Sequence, residues 1–271
     1  MKLNINMRHS MKSLAPLALL LLTSTSAFCQ TATNKTKMDD DPTKIITKIG
    51  VSWADNYDFD DSNVAISGSL AIDEARKLNA RVNSDGSEWR VGGSWLFPIG
   101  IFNFNFGKNQ YTNGSTQTNY SVGTFIPLSY FGIEPAGIQI FPMAGYTYNT
   151  GNHLTCDTSS TSRCNNSDFS DEPSPENGFV STSVSGSSGY LGLFAIKALT
   201  QNLRLLSFAG GSLGSKNDRG DYYRGIFGGF GLGYSITPHH SIKAMTFIMN
   251  NNTYLDSADT RVLLAYTYQF N

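Results

Sequence analysis

Along most of the chain, apolar and polar residues alternate with a period of two. Trp89, Val91 and Trp95 fall on one face of such a segment, for example, whereas Glu88 and Arg90 fall on the other. Successive side chains of a β-strand point to opposite faces, so this period indicates strands and an all-β fold. The segments run at roughly 45–54, 88–97, 101–107, 118–126, 138–149, 188–199, 203–214, 222–236, 241–250 and 261–270. Only the short stretch 71–80, AIDEARKLNA, has a helical period.

The connections between these segments distinguish a membrane barrel from a soluble β-sandwich, since both alternate. The connections alternate in length along the chain. Short ones lie at 98–100, 200–202 and 237–240, and longer ones lie at about 55–86, 108–117, 150–177, 215–221 and 251–260. Aromatic residues gather at the strand ends, as the two interfaces of a membrane favour. We therefore predict a single antiparallel transmembrane β-barrel of about ten strands, with the longer connections as extracellular loops. A secreted sandwich is the alternative.

The strand number depends on the first long connection, 55–86. It contains one further alternating run, VAISGSLAI at 64–72, which we interpret as a hairpin within the loop. A spanning strand here would require a second additional strand, for example within 179–187, because bacterial single-chain barrels have even strand numbers. Eight and twelve strands therefore remain compatible with the pattern.

The composition agrees with a barrel and excludes several other classes. The 271 residues include 15% charged residues, 12% aromatic residues and 26 glycines, and the formal net charge is −1. A mean hydropathy of −0.22 is too low for a bundle of membrane helices. Abundant aromatic residues argue against disorder, and the charge balance argues against nucleic acid as a partner. A barrel needs apolar residues on one face only, which keeps the average slightly polar.

The N-terminus reads as a secretory signal peptide at 1–29. Basic residues precede the nine-residue apolar run Leu14–Leu22, which is too short to span a membrane. Cleavage after Cys29 places Ala27 and Cys29 at the small-residue positions of the cleavage site, and cleavage after Ala27 is the alternative. We expect residues 30–43 to form a flexible periplasmic segment and residues 44–271 to form the barrel.

Two cysteines remain after cleavage behind Cys29, and both lie in one polar stretch. Exported proteins fold in an oxidising compartment, so we predict a disulfide between Cys156 and Cys164. A metal site formed by these thiols with His153 is the alternative. We predict no metal and no cofactor.

The chain resembles the small outer-membrane β-barrels of Gram-negative bacteria. Its ending, VLLAYTYQFN, looks like their C-terminal strand, with aromatic residues at alternate positions up to Phe270, although Asn271 follows. The resemblance implies a location in the outer membrane, contact with its lipids, and recognition of this strand by the barrel-assembly machinery. The strand pair WRVGGSWLFPIGIFNFNFG is similar to one in OmpW-like barrels.

Candidate functional residues lie on the predicted inner face. Charged candidates are Lys48, Glu88, Arg90, Lys243 and Arg261; a charge enclosed in a narrow barrel must be paired, so they form either a plug network or a selective pore. The strands at 188–199 and 203–214 are apolar on both faces. They supply the apolar lumen candidates Leu191, Leu193, Leu206 and Phe208, which would suit a small hydrophobic ligand or a packed core.

These features predict a non-enzymatic barrel, structural or passing small solutes through a narrow lumen. His239 and His240 lie in a predicted turn without a placed carboxylate, so we expect no catalysis there. A surface adhesion or interaction protein that uses the loops at 55–86 and 150–177 is the alternative function.

Overall fold

The chain folds into twelve consecutive antiparallel strands in the computed structural model, which describes residues 37–56, 61–110, 114–156, 179–216, 220–252 and 258–270. The strands are β1 (Lys48–Asn56), β2 (Asp61–Ala71), β3 (Arg76–Asn83), β4 (Glu88–Phe97), β5 (Gly100–Gln110), β6 (Thr116–Phe125), β7 (Ile138–Cys156), β8 (Phe179–Ala198), β9 (Leu203–Lys216), β10 (Tyr222–Ser235), β11 (His240–Asn251) and β12 (Asp259–Gln269). Two short 3₁₀ helices, Leu128–Phe131 and Pro135–Gly137, lie between β6 and β7.

The sheet closes on itself because β1 pairs with both β2 and β12. The closing register runs from Lys48 opposite Gln269 to Asn56 opposite Arg261. A sandwich would consist of two sheets with free edges, so the closed topology confirms the predicted barrel and excludes the sandwich. Within the described residues, no helix is long and apolar enough to cross a membrane.

The main prediction of ten strands is wrong, because β2 and β3 occupy most of the segment 55–86 that we assigned to a loop. β3 also replaces the helical pattern at 71–80. Leu78 and Val82 lie on its exposed face, and Lys77 and Arg81 alternate with them on the other face. Because basic residues occupy the inner face of β3, the alternation of apolar residues on its outer face is difficult to recognise in the sequence.

The hairpin of β7 and β8 is longer than its sequence pattern indicates. β7 continues to Cys156 and β8 begins at Phe179, so seven residues of the predicted loop at 150–177 pair with β8. Cys164 lies outside the described residues, as do 157–178, and the disulfide with Cys156 therefore stays a prediction.

The barrel has two distinct ends. We call one the turn end, because it carries the connections 72–75, 98–99, 126–137, 199–202 and 236–239 together with both chain termini of the barrel. The opposite end, where β7 ends and β8 begins and where the turn 84–87 lies, is the loop end.

Glycines on the inner wall face bulky side chains of neighbouring strands. The Tyr190 hydroxyl lies where a β-carbon on Gly123 or Gly145 would stand, and Phe227 lies over Gly210 in the same way. The inward position of Gly229, Gly231 and Gly233 on β10 follows from the same pattern. Small residues therefore let large side chains lie across the wall and fill part of the lumen.

A small apolar cluster lies inside the barrel toward the turn end. Phe141, Ile196 and Leu206 are buried there, on β7, β8 and β9. Met38, which precedes β1, packs against this cluster. Side chains before the first strand thus enter the lumen.

Candidate functional site

Residues 37–44, which precede β1, form a segment that enters the barrel at the turn end. We call it the lumen segment. The sequence analysis assigns most of it to a flexible periplasmic stretch, but its side chains contact the inner wall on several strands. Within the segment, Oδ1 of Asp41 accepts hydrogen bonds from the backbone N–H and the hydroxyl of Thr43, each at 2.7 Å. These bonds shape the turn at Pro42 before the chain continues into β1.

Asp40 of the lumen segment joins two basic side chains of the wall. Its Oδ2 accepts a hydrogen bond of 3.0 Å from Nε of Arg204, and its Oδ1 lies 2.5 Å from Nζ of Lys243. Arg204 is only 5% exposed. A buried guanidinium needs a paired carboxylate, so Asp40 stabilises the charge that β9 brings into the lumen.

Asp39, the preceding residue, contacts the same guanidinium of Arg204 and the side chains of Ser235 and Lys44. Its Oδ2 accepts a hydrogen bond of 2.5 Å from the Ser235 hydroxyl and lies 3.6 Å from Nη2 of Arg204. Its Oδ1 accepts a hydrogen bond of 2.8 Å from Nζ of Lys44, which also donates to Gln269. The segment is thereby tied to β9, β10 and β12, across about a third of the barrel.

The pKa values of both carboxyl groups lie below their ordinary range. Burial raises the pKa of Asp39, but the hydrogen bonds from Lys44 and Ser235 outweigh it and lower the pKa to about 2. Burial likewise raises the pKa of Asp40, and the charges of Lys243 and Arg204 overcome it, so the net shift is downward. Both groups are therefore ionised at neutral pH.

Gly233 on β10 makes the close approach of Asp40 to the wall feasible. A β-carbon at this position would stand 2.7 Å from Oδ2 of Asp40 and 3.4 Å from Nη2 of Arg204. Any larger residue would therefore push the carboxylate away from the guanidinium.

Two more basic side chains of the wall surround the lumen segment. Nζ of Lys77, on β3, donates to the backbone oxygens of Lys44 at 2.7 Å and of Pro42 at 3.4 Å. Lys48, on β1, is subject to the charges of Lys243 and Asp40 but has no ion pair within 4.0 Å among the described residues. We call Lys48, Lys77, Arg204 and Lys243 the basic cluster.

Charged residues at the loop end form separate groups. Oε1 of Glu88 lies 3.8 Å from Nη2 of Arg90 and 4.0 Å from Nε of Arg81. Arg261 pairs with Asp259 through Nη2 and Oδ2 at 2.7 Å. The structure thus divides the predicted charged set: Lys48 and Lys243 meet at the turn end, Glu88 and Arg90 meet at the loop end, and Arg261 has its own carboxylate.

The apolar candidates also divide. Leu206 is completely buried, and Phe208 stacks on Phe227 with 6.5 Å between ring centroids, so both lie inside. Leu191 and Leu193 are 71% and 53% exposed and lie on the outer face, opposite to Phe194 and Ile196. Their assignment to the lumen is therefore wrong. Since both faces of β8 are apolar, only the register with β7 and β9 reveals which one points inward.

Aromatic side chains form rows on the outer face near both ends. Trp89, Phe106 and Tyr120 are in sequential ring contact near the loop end, with centroids 5.0 and 4.8 Å apart. Near the turn end, Tyr268 contacts Phe270 at 4.9 Å and His240 at 5.0 Å. Exposed apolar side chains such as Ile226, Leu232 and Leu264 lie between the two levels.

The two turn histidines have neutral hydrogen-bond partners. Nδ1 of His240 lies 2.6 Å from the Tyr266 hydroxyl, and Nδ1 of His239 lies 3.1 Å from the backbone oxygen of Gln269. Over the part of the chain that the structure describes, no three side chains of His, Cys, Asp or Glu gather as a metal site would require.

A cavity of about 1140 Å³ lies against β7 to β11, toward the loop end. Its lining includes Leu191, Leu213, Ile226 and Arg224, whose side chains are on the exposed face of the wall. Tyr190 and Ser212, which face inward, also line this cavity, so its lining includes residues of both faces of the wall.

Sequence reasoning missed most residues that bind the lumen segment. Arg204 lies on the same face of β9 as Leu206, but the sequence pattern did not assign it to the polar inner face. Lys77 lies in a segment that was predicted to be a loop. Asp39 and Asp40 lay in an assumed flexible segment. The available signal was charge complementarity: an acidic triplet, 39–41, precedes a barrel whose inner wall is basic.

Comparisons with known proteins support the fold. No protein-family model and no curated protein sequence matches the chain. The solved structure of the NanC porin matches with a TM-score of 0.50 and 11% identity, covering 82% of this chain and all of that chain. The translocator domain of the autotransporter NalP from Neisseria meningitidis matches with a TM-score of 0.52 and 11% identity, covering 83% of this chain and 87% of that one. At such identities the likeness extends to the barrel fold alone.

Proposed function

We propose that the chain is an exported outer-membrane β-barrel that passes small polar solutes through a narrow lumen. The observation that carries this proposal is the contrast between the two faces of the closed sheet. The outer face exposes apolar side chains between two aromatic levels, as a bilayer selects, whereas the inner face carries charged and amide side chains. A soluble protein rarely exposes so large an apolar surface.

The lumen is narrow in this proposal because side chains and the lumen segment occupy it. Barrels of eight strands are filled by side chains and those of sixteen or more leave an aqueous channel, so twelve strands leave intermediate space. The lumen segment and the apolar cluster fill part of that space at the turn end. The known porin and translocator folds support such a role by analogy of architecture only.

Three further expectations belong to this proposal. Residues 1–29 direct export of the chain and are then removed. The barrel-assembly machinery recognises the strand that ends at Phe270. In the folded barrel, the backbone N–H of Phe270 donates to Thr47 at 2.9 Å, which extends the pairing that closes the sheet. The similarity to OmpW-like barrels is not addressed by either structural neighbour and stays a prediction.

Fractionation and conductance test the proposal. We expect the protein in the outer-membrane fraction, with gel migration that changes on heating, and discrete conductance steps in planar lipid bilayers. A soluble periplasmic protein would contradict the location. A folded barrel without steps above the lipid background would contradict solute passage. Of the two loops on which the adhesion alternative depends, 55–86 mostly forms β2 and β3, whereas 157–178 lies outside the described residues. Deletions within 157–178 that leave cell binding unchanged would count against this alternative.

A further inference from the structure

The basic cluster of the inner wall has carboxylate partners that all come from one place. Among the described residues, the carboxylates within 4.0 Å of Arg204 and Lys243 belong to Asp39 and Asp40. Lys77 bonds to backbone oxygens of the same segment. The wall itself supplies cations on β1, β3, β9 and β11, and the lumen segment supplies the anions.

We propose that the basic cluster is a binding site for small dicarboxylate solutes, which Asp39 and Asp40 occupy in this structure. The inference rests on the proposed function, since it names the class of solute and the gate that the solute must displace. The two aspartates present adjacent carboxylates to one guanidinium, and Lys243 and Ser235 complete the contacts. A free dicarboxylate offers the same groups to the same donors.

The aspartates of the lumen segment and a free dicarboxylate compete for the same cations, so binding of one excludes the other. Removal of the lumen segment would leave the buried Arg204 guanidinium without a carboxylate, a state that is costly in a partly desolvated site. An entering dicarboxylate removes that cost, whereas a neutral solute does not. The tethered aspartates compete with a free anion at a high effective concentration. The apparent affinity for the free anion is therefore the intrinsic affinity multiplied by the fraction of barrels whose lumen segment is undocked.

Succinate binding to the mature protein in detergent, measured by calorimetry, tests this inference. We compare wild type with the variant D39N/D40N, which keeps the size of both side chains, and with D41N. Asp41 is the matched control because its hydrogen bonds go to Thr43 and, among the described residues, it makes no ion pair with Arg204 or Lys243, although its charge acts on Lys77. We expect succinate to bind D39N/D40N about tenfold more tightly than wild type and D41N, because the competing carboxylates are gone. Adding R204Q to D39N/D40N should abolish the gain.

Other ligands and one further variant make the outcome decisive. Succinamide, which is neutral, should not bind, and inorganic phosphate should bind more weakly than succinate. Equal binding of phosphate and succinate, or equal succinate binding by wild type and D39N/D40N, would overturn the inference. Where D39N/D40N does not show heat-modifiable migration, Gly233→Ala serves instead, because it displaces Asp40 without changing any charge; a smaller gain in the same direction is expected, since Asp39 keeps its contacts with Arg204 and Ser235.

Conductance separates this inference from the proposed function. Steps in planar bilayers without succinate binding by any variant would overturn the dicarboxylate site and leave solute passage standing. Succinate binding to a barrel that never conducts would retain the site and overturn passage. Where both hold, succinate should reduce the conductance of D39N/D40N at lower concentrations than the conductance of wild type.

Discussion

At the scale of single residues, Gly233 controls how closely the lumen segment approaches the wall. The change Gly233→Ala places a β-carbon against Asp40 and weakens its charge-assisted hydrogen bond with Arg204. A loss of about 1.5 kcal/mol would raise the undocked population about tenfold. Trypsin should therefore cleave the folded barrel after Lys44 faster in this variant than in wild type.

Gly228 on the same strand provides the control for that experiment. A β-carbon there meets nothing closer than 3.4 Å and lies away from the lumen segment. Gly228→Ala should leave the cleavage rate unchanged. Equal acceleration in both variants would show that alanine disturbs β10 generally and that Gly233 has no special role.

Leu206 and Leu191 are a second pair of residues that test which face of the wall points inward. Leu206 is buried in the apolar cluster, so Leu206→Ala should reduce the free energy of unfolding by about 2–5 kcal/mol. Leu191 is 71% exposed on the outer face, and truncating it opens no internal cavity. Urea unfolding in detergent should show a clearly smaller loss for Leu191→Ala. Similar losses would contradict the register of β8.

At the scale of elements, the lumen segment should respond to acid. The pKa of Asp39 is about 2 and that of Asp40 is also lowered, so their contribution to docking is complete above the ordinary pKa of 3.8 and is lost as pH falls toward 2. The groups that face them are the side chains of Lys44, Arg204, Lys243 and Lys48 and the Ser235 hydroxyl.

The ¹³C-methyl resonance of Met38 reports this transition in detergent micelles. Met38 packs against the apolar cluster of Phe141, Ile196 and Leu206, and undocking should move its shift toward the value of a free methionine as pH falls from about 4 to about 2. The variant D39N/D40N should show the free value already at neutral pH. A Met38 shift that is constant through acidification in wild type would contradict electrostatic docking.

Alternation in the sequence predicts the strands that have an apolar outer face and an inner face with few charged residues. β4 and β12 fit this description, and the predicted bounds of β4 match the structure. β3 does not, because Arg76, Lys77 and Arg81 make it read as a polar helix, and its strand character depends on pairing with β2 and β4. The Nζ of Lys77 donates to backbone oxygens of Pro42 and Lys44, more than 30 positions away, and a local pattern does not contain such contacts.

At the scale of the whole molecule, the candidate site is assembled from residues that are distant in sequence. Asp40 and Arg204 are separated by 164 positions, and Asp39 and Ser235 by 196. Barrel closure brings β1 beside β12 and places the lumen segment at the turn end, next to the starts of β9 and β11. The acidic triplet and the basic strand positions are each visible in the sequence, but their meeting depends on closure of the sheet through β1 and β12.

In the proposed outer-membrane location, the strand number also determines which connections face the cell exterior. With twelve strands, the turn 72–75 between β2 and β3 lies at the turn end, and the turn 84–87 between β3 and β4 lies at the loop end. A ten-stranded barrel would instead expose the whole segment 55–86 outside. An epitope tag inserted after Gly86 should bind antibody on intact cells, whereas one inserted after Glu74 should bind only after the outer membrane is permeabilised. Antibody binding to the Glu74 tag on intact cells would contradict the twelve-stranded arrangement, provided that both tagged proteins retain heat-modifiable migration.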